Sequence, residues 1–336
     1  MIDRDYKVAV IGCGSWGTAL ASLLAQRGAS VVIWGRNEEA IKAINEEHRN
    51  HTYLPGVDLP EGIKATTNPA DLSGANVALF VVPSKAVRGV AKQFAEAAAF
   101  SPETVFVSCI KGIEFETGSR MTEIIAESFP ENPVSVMSGP THAEEVARKM
   151  PAAVVVGAED HQIALQLQDL FTTPWFRSYT SEDVVGIEWA GAVKNIFAIA
   201  AGIVDGMGLG DNAKAALVTR GLAELVRIGI EFGGRPETFQ GLSGVGDLMV
   251  TCYSAHSRNN RVGLGLGKGK SLQEVVDSMN MVAEGVPNTL SIYKSTRKLN
   301  VRTPLIDQIH AIVNDGKPAQ EALVELLARD PRPEAE

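Results

Sequence analysis

Lys7-Val8-Ala9-Val10-Ile11-Gly12-Cys13-Gly14-Ser15-Trp16-Gly17-Thr18 is the stretch that decides the fold. Lys7–Gly12 is short, apolar and rich in β-branched residues, as a buried strand requires. Gly12, Gly14 and Gly17 then fall in the spacing GxGxxG, and Thr18–Arg27 reads as a helix with Gly28 just past its end. A strand, a glycine turn and a helix in that order form the context in which this spacing signals dinucleotide binding. Gly12 permits the tight turn, Gly14 lets the backbone approach a pyrophosphate, and Gly17 lets helix and strand pack closely. The helix start supplies N–H groups and a positive dipole end for the phosphates. An ordinary strand–helix turn would use the same glycines without a ligand. The second strand at Ser30–Trp34 favours the dinucleotide reading.

Working outward, Glu38–Glu47 is predicted helical. Further strands are expected at Asn76–Val82 (ended by Pro83), Thr104–Cys109, Val134–Met137, Ala152–Gly157 and Phe176–Thr180. Strands alternating with helices imply βαβ units and a mostly parallel, doubly wound sheet, hence an α/β Rossmann domain. The pattern changes near residue 183. Beyond it helices are predicted at Asp183–Gly206, Ala213–Phe232 (stopped by Gly233 and Gly234), Ser271–Met279, Pro287–Lys298, Pro304–Asn314 and Pro318–Ala328. The expected division is an NAD(P)-binding Rossmann domain over 1–190 and an all-helical substrate-binding and catalytic domain over 191–336, with the first long helix shared.

The chain has 336 residues, enough for two cores, and a net charge of −9. A mildly acidic chain has no general attraction for nucleic acid or anionic membranes, so phosphate binding must come from local basic groups. Cys13, Cys109 and Cys252 form no CxxC pair and no set with zinc spacing, so reduced thiols and no metal are expected. No signal-peptide pattern opens the chain, and no apolar run approaches a membrane span. A cytoplasmic location is expected.

The second strand ends in Trp34-Gly35-Arg36-Asn37, without the acid that would bind the ribose hydroxyls of NAD. Arg36 stands where a guanidinium could meet a 2′-phosphate, although a solvated surface arginine is the plainer alternative. Glu38 could serve the ribose instead. NADP(H) is favoured and NAD(H) allowed. Lys194 lies in the apolar helix segment IEWAGAVKNIFAIAAG (187–202). Such a lysine either snorkels to the surface or sits in a pocket with an altered pKa, and the helix alone favours snorkelling. Asn195 beside it, Lys111 after a strand, and Asp247 in the Gly-rich stretch GLSGVGD (241–247) strengthen the catalytic reading. Ser257-Arg258-Asn259-Asn260-Arg261 offers fork donors suited to a phosphate dianion, against the alternative of an exposed basic turn. GLGLGKGKS (263–271) mimics a Walker loop but has Leu264 where that motif needs glycine, and no strand leads into it.

Several separated blocks together resemble the bacterial-type NAD(P)-dependent glycerol-3-phosphate dehydrogenases. They are VIGCGSWGTALA (10–21), HRNHTYLPGVDLP (48–60), SCIKGIE (108–114), SGPTHAEEVA (138–147) and AVKNIFAIAAGIVDG (192–206). GLSGVGDLMVTC (241–252), SRNNRVGLGLGKG (257–269) and VAEGV (282–286) continue the likeness. The resemblance implies cofactor contacts from Ser15, Trp16, Arg36, Ala143, Val282 and Glu284, beside the Gly12–Gly17 turn. It implies a substrate site of Lys111, Gly139, Thr141, Asp247, Ser257, Arg258 and Asn259, with Lys111 and Arg258 reaching both ligands and Lys194 as the acid/base. It also implies a small phosphorylated substrate, dihydroxyacetone phosphate or glycerol 3-phosphate, and a role in phospholipid synthesis, and it leaves room for a homodimer. Two competing readings are another small keto- or hydroxy-acid reductase of the same build, and a nucleotide-sensing protein without catalysis. The phosphate-suited SRNNR segment argues against the first. The second needs neither Lys194 nor Asp247.

Overall fold

A computed structural model describes residues 6–279, 282–299 and 301–334. Ten strands occur among them: β1 Lys7–Ile11, β2 Ser30–Trp34, β3 Arg49–Asn50, β4 Leu54–Asp58, β5 Lys64–Thr66, β6 Val77–Phe80, β7 Val105–Ser108, β8 Val134–Ser138, β9 Ala152–Gly157 and β10 Phe176–Ser181. β3 and β4 pair as a separate hairpin; the other eight form one sheet in the order β10-β9-β8-β7-β6-β1-β2-β5. Every pairing in that sheet is parallel except β8 with β9. The order turns back at β1, with β2 on one side and β6 on the other. This is the switch point at which doubly wound sheets bind ligands.

The helices within the sheet region are α1 Ser15–Gln26, α2 Glu38–Glu47, α3 Val87–Glu96, α4 Met121–Ser128, α5 Ala143–Ala147 and α6 His161–Phe171. Side chains alternate across each strand, so one sequence feeds two cores. Val8 and Val10 face the layer of Leu20, Leu24, Ile44, Leu167 and Phe171, whereas Ala9 and Ile11 face Phe94, Ile124 and Ile125. Both faces are covered, which is why the strands read as unbroken apolar runs.

No strand follows Ser181 among the described residues. The chain continues as α7 Val184–Gly206, α8 Gly210–Glu231, α9 Pro236–Phe239, α10 Asp247–Tyr253, α11 Arg258–Gly267, α12 Leu272–Asp277, α13 Gly285–Lys298, α14 Pro304–Asn314 and α15 Ala319–Leu327. Helix α7 is buried almost all round and is the axis of this half. It corrects one expectation: its 23 residues are long and apolar enough to cross a membrane, yet its apolar stretch is buried within the protein. Helix α11 crosses α7 at backbone contact. A Cβ on Gly263 would lie 1.9 Å from the Ile199 carbonyl oxygen, and one on Gly202 would lie 2.0 Å from that of Asn260. The glycine-rich first part of the stretch that mimics a Walker loop, Gly263–Gly267, is therefore a helix face made flat for close packing.

Candidate active site

The glycine turn is built as the spacing requires. Gly12 has φ +126°, and a Cβ there would meet the Val81 carbonyl oxygen at 2.7 Å, so only glycine lets β1 and β6 end side by side. Helix α1 starts after Gly14 with no side-chain cap and no acid in its first turn. A Cβ on Gly14 would meet nothing within 4 Å, so the backbone lies open to an approaching group. An uncapped helix start under open backbone fits a pyrophosphate.

From this turn a cleft of about 540 Å³ runs toward the helical half. The sheet side contributes Gly14, Ser15 and Trp16, then Val81–Pro83, Lys111 and Thr141–Ala143. The helical side contributes Lys194, Asn195, Ser257–Asn259, Val282 and Glu284. Gly12 and Gly17 pack beneath the turn, outside the lining. Gly139 and Asp247 also lie behind it, where they bind the residues in front. Arg36 is exposed at the end of β2, outside the cleft wall.

Lys194 does not snorkel. It is 5% exposed, and its Nζ donates to Asp247 Oδ1 at 2.8 Å and to Thr251 Oγ1 at 2.5 Å. Lys111 comes from the segment after β7 and donates to Asp247 Oδ2 at 2.6 Å and to the Gly139 carbonyl at 3.0 Å. One carboxylate, 1% exposed, thus holds two ammonium groups. Burial pushes Lys194 down to about 8; Asp247 works against that and the Lys111 charge reinforces it. Burial also disfavours the Asp247 anion, but the two lysines outweigh it and hold the carboxyl below the usual carboxylate range. The cluster keeps one net positive charge inside an acidic protein. Its Lys194 can both give and take a proton near neutral pH.

The stretch 241–247 differs from the expected loop. Leu242–Gly246 forms a π-helical turn that runs directly into α10, so Asp247 stands in a first helical turn. Ser257 is likewise the N-cap of α11, accepting from the Asn260 N–H at 3.2 Å, and places Arg258 and Asn259 in the first turn. Asn259 donates to Asn195 Oδ1 at 2.8 Å. Glu284 accepts from Ser84, and burial raises its carboxyl against those hydrogen bonds and the nearby Arg258 charge.

Several lining or supporting residues escaped the sequence reading. Thr251 sits one helical turn after Asp247, a relation visible only once 247–253 is read as helix. Tyr53 reaches the cleft from the β3–β4 hairpin. His142 lines the cleft with its Nε2 buried and unpartnered, its ring 5.7 Å from that of His256 across the opening. Burial, helped by the Lys194 and Lys111 charges, keeps His142 below the ordinary histidine range. Asn288 donates to the Lys111 carbonyl at 3.0 Å and steadies that loop. Among the described residues no three His, Cys, Asp or Glu side chains gather as a metal site.

Residues 7–164 match the N-terminal family profile of NAD-dependent glycerol-3-phosphate dehydrogenase, and residues 183–324 match the C-terminal one. A protein of Chlorobium phaeobacteroides named as an NAD(P)-dependent glycerol-3-phosphate dehydrogenase is 45% identical over 98% of this chain and 99% of its own. One of Bacillus licheniformis with the same name is 47% identical over 96% of this chain and 94% of its own. The crystal structure of glycerol-3-phosphate dehydrogenase from Coxiella burnetii superposes with a TM-score of 0.93 at 38% identity, covering 97% of this chain and 99% of that one.

Proposed function

The chain belongs to the NAD-dependent glycerol-3-phosphate dehydrogenase family, an oxidoreductase family, and we propose from that premise how its own residues divide the work. The enzyme interconverts dihydroxyacetone phosphate and sn-glycerol 3-phosphate, with Lys194 as the proton donor and acceptor. The observation that carries this reading is the buried Lys194–Asp247–Lys111 cluster at the wall of a cleft that begins at a dinucleotide turn. The dinucleotide, when bound, supplies or accepts the hydride. All other tasks fall to the chain.

The first turn of α1 and the Gly12–Gly17 backbone hold the pyrophosphate. Trp16, Ala143, Val282 and Glu284 bound the rest of the dinucleotide. Ser257, Arg258 and Asn259 hold the substrate phosphate at the start of α11, where N–H groups and a guanidinium converge. Thr141, with the backbone at Gly139, borders the polyol. Lys194 as ammonium polarises the ketone oxygen and gives it a proton. Asp247 aims Lys194 through one oxygen and Lys111 through the other, so both charges stay directed at the same side of the cleft. The reverse reaction needs Lys194 neutral, which a value of about 8 makes accessible.

Arg36 inclines the enzyme to NADP(H), with NAD(H) also used. The working division remains near residue 190, within α7, so one helix belongs to both halves. A soluble cytoplasmic enzyme, a homodimer, and supply of glycerol 3-phosphate for phospholipid synthesis complete the reading. The test is to follow NADPH oxidation with dihydroxyacetone phosphate and with dihydroxyacetone, in wild type and Arg258→Ala. The phosphorylated ketone should be preferred strongly. Arg258→Ala should lower kcat/KM for it by on the order of 100-fold or more while scarcely changing the poor rate with dihydroxyacetone. Comparable wild-type rates with both ketones would sink the proposal.

A further inference from the structure

The hydrogen bonds of the cleft continue into a residue outside it. Ser84 follows Val81–Pro83, which form part of the sheet-side wall, but Ser84 itself is buried and does not line the cleft. Its N–H donates to Glu284 Oε1 at 3.1 Å, and its hydroxyl donates to Glu284 Oε2 at 2.5 Å. The next residue, Gly285, donates its N–H to Asn259 Oδ1 at 2.9 Å. Asn259 Nδ2 donates to Asn195 Oδ1 at 2.8 Å, and Asn195 is the neighbour of Lys194. There is no slack in this path. A Cβ on Gly285 would lie 2.7 Å from the Asn195 carbonyl oxygen and 2.9 Å from Asn259 Oδ1. The orientation of the Asn259 amide is therefore dictated from both ends.

We propose that Ser84 is a positioning residue that couples the two halves of the cleft. By gripping Glu284 it fixes Gly285 and Asn259, so that filling the dinucleotide half, walled by Val81–Pro83, sets the donor geometry of the phosphate half. The inference rests on the functional reading above. Such coupling is reciprocal: whatever the dinucleotide does for the substrate, the substrate does for the dinucleotide. The Glu284 carboxylate transmits it because two donors on one residue hold both of its oxygens, and because it also faces the charges of Arg258 and Lys85. A single neutral contact would swing; this grip does not.

NADPH and glycerol 3-phosphate are both reduced, so together they bind without turnover. The dissociation constant of NADPH, read from nucleotide fluorescence, is measured with and without saturating glycerol 3-phosphate. Wild type should bind NADPH at least about five-fold more tightly in the ternary complex. Ser84→Ala keeps the N–H contact and loses the hydroxyl. It should bind NADPH alone nearly as well as wild type, lose most of the mutual tightening, and raise the substrate KM more than it lowers kcat. Glu284→Gln should also abolish the tightening, and the double variant should lose no more of it than either single one. If Ser84→Ala does not fold, Ser84→Cys takes its place: it keeps the side-chain volume, replaces the hydroxyl by a weak donor, and should likewise lose most of the tightening. The inference is overturned if wild type binds both ligands without mutual tightening. It is also overturned if the variants keep that tightening, or if Ser84→Ala weakens NADPH equally with and without the second ligand. Failure of wild type both to bind glycerol 3-phosphate and to reduce dihydroxyacetone phosphate would instead remove the functional reading, and this inference with it.

Discussion

At the scale of single residues, one lysine decides whether the cleft is a reaction site. Lys194→Ala should fold and bind NADPH, yet lose turnover by more than the roughly 100- to 10,000-fold that proton transfer alone supplies, since the charge at the developing oxyanion goes too. Near-normal turnover in that variant would leave Lys194 a structural residue. The lowered Lys194 value fixes the pH response. Burial disfavours its charged form, so ketone reduction should decline as pH rises through about 8, while alcohol oxidation should climb over the same interval. Rate profiles for the two directions that move together with pH would contradict the assignment. Arg36 is exposed, and a charge-assisted contact to a 2′-phosphate is worth roughly 1.5–3 kcal/mol. Arg36→Ala should then raise the KM for NADPH by about one to two decades and leave NADH nearly unchanged; equal effects on both would mean that Arg36 does not read that position. Lys194, Asp247 and Lys111 were legible in the sequence as candidates, and the family resemblance grouped them, but spacing alone did not, and neither gave the one carboxylate held between two ammonium groups. They lie on α7, α10 and the β7 exit, and no local spacing relates them. The burial of Lys194 was likewise hidden, because a helix sequence does not say which partner will satisfy a charge that it carries.

At the scale of elements, strands were easier to read than helices rich in glycine. β2 and β9 have the bounds that their β-branched runs suggest, because strands buried on both faces need continuous apolar sequence. α11 was invisible because GLGLG carries poor helix propensity. What holds it helical is contact with α7, a tertiary effect that sequence windows do not contain. Gly263→Ala should therefore lower stability by about 2–4 kcal/mol, since backbone rather than a movable side chain meets the new methyl. Gly14→Ala makes the opposite case: φ is −68° and the space is open, so thermal stability should hold while NADPH affinity falls. Melting curves beside NADPH titrations for the two variants test both statements. An unchanged melting temperature for Gly263→Ala would mean that the helix pair has slack that the geometry denies.

At the scale of the whole molecule, the two halves are joined by a buried carboxylate as well as by apolar contact. Glu188 on α7 accepts from the Thr122 N–H at 2.9 Å, the Thr122 hydroxyl at 2.5 Å and the Arg120 guanidinium at 2.8 Å, all at the start of α4. Burial raises its carboxyl, opposed by the Arg120 charge and these hydrogen bonds. Glu188→Ala should cost about 1–3 kcal/mol, since it leaves the buried Thr122 N–H and hydroxyl without their acceptor while Arg120 keeps Glu123. Denaturant unfolding reads that loss, and a change below about 0.5 kcal/mol would make the contact ornamental. The close crossing of α7 and α11 has a consequence for selectivity. α7 carries Lys194, and α11 carries Arg258 in its first turn. Because main chain touches main chain between them, the backbones that carry the proposed proton donor and the proposed phosphate grip form a single stiff frame. The distance between the two helix backbones is then fixed, whichever way the exposed Arg258 side chain turns. If Lys194 and Arg258 act as proposed, a ketone phosphate one carbon longer should show a markedly lower kcat/KM than dihydroxyacetone phosphate, and equal values for the two would mean that the frame does not gauge length.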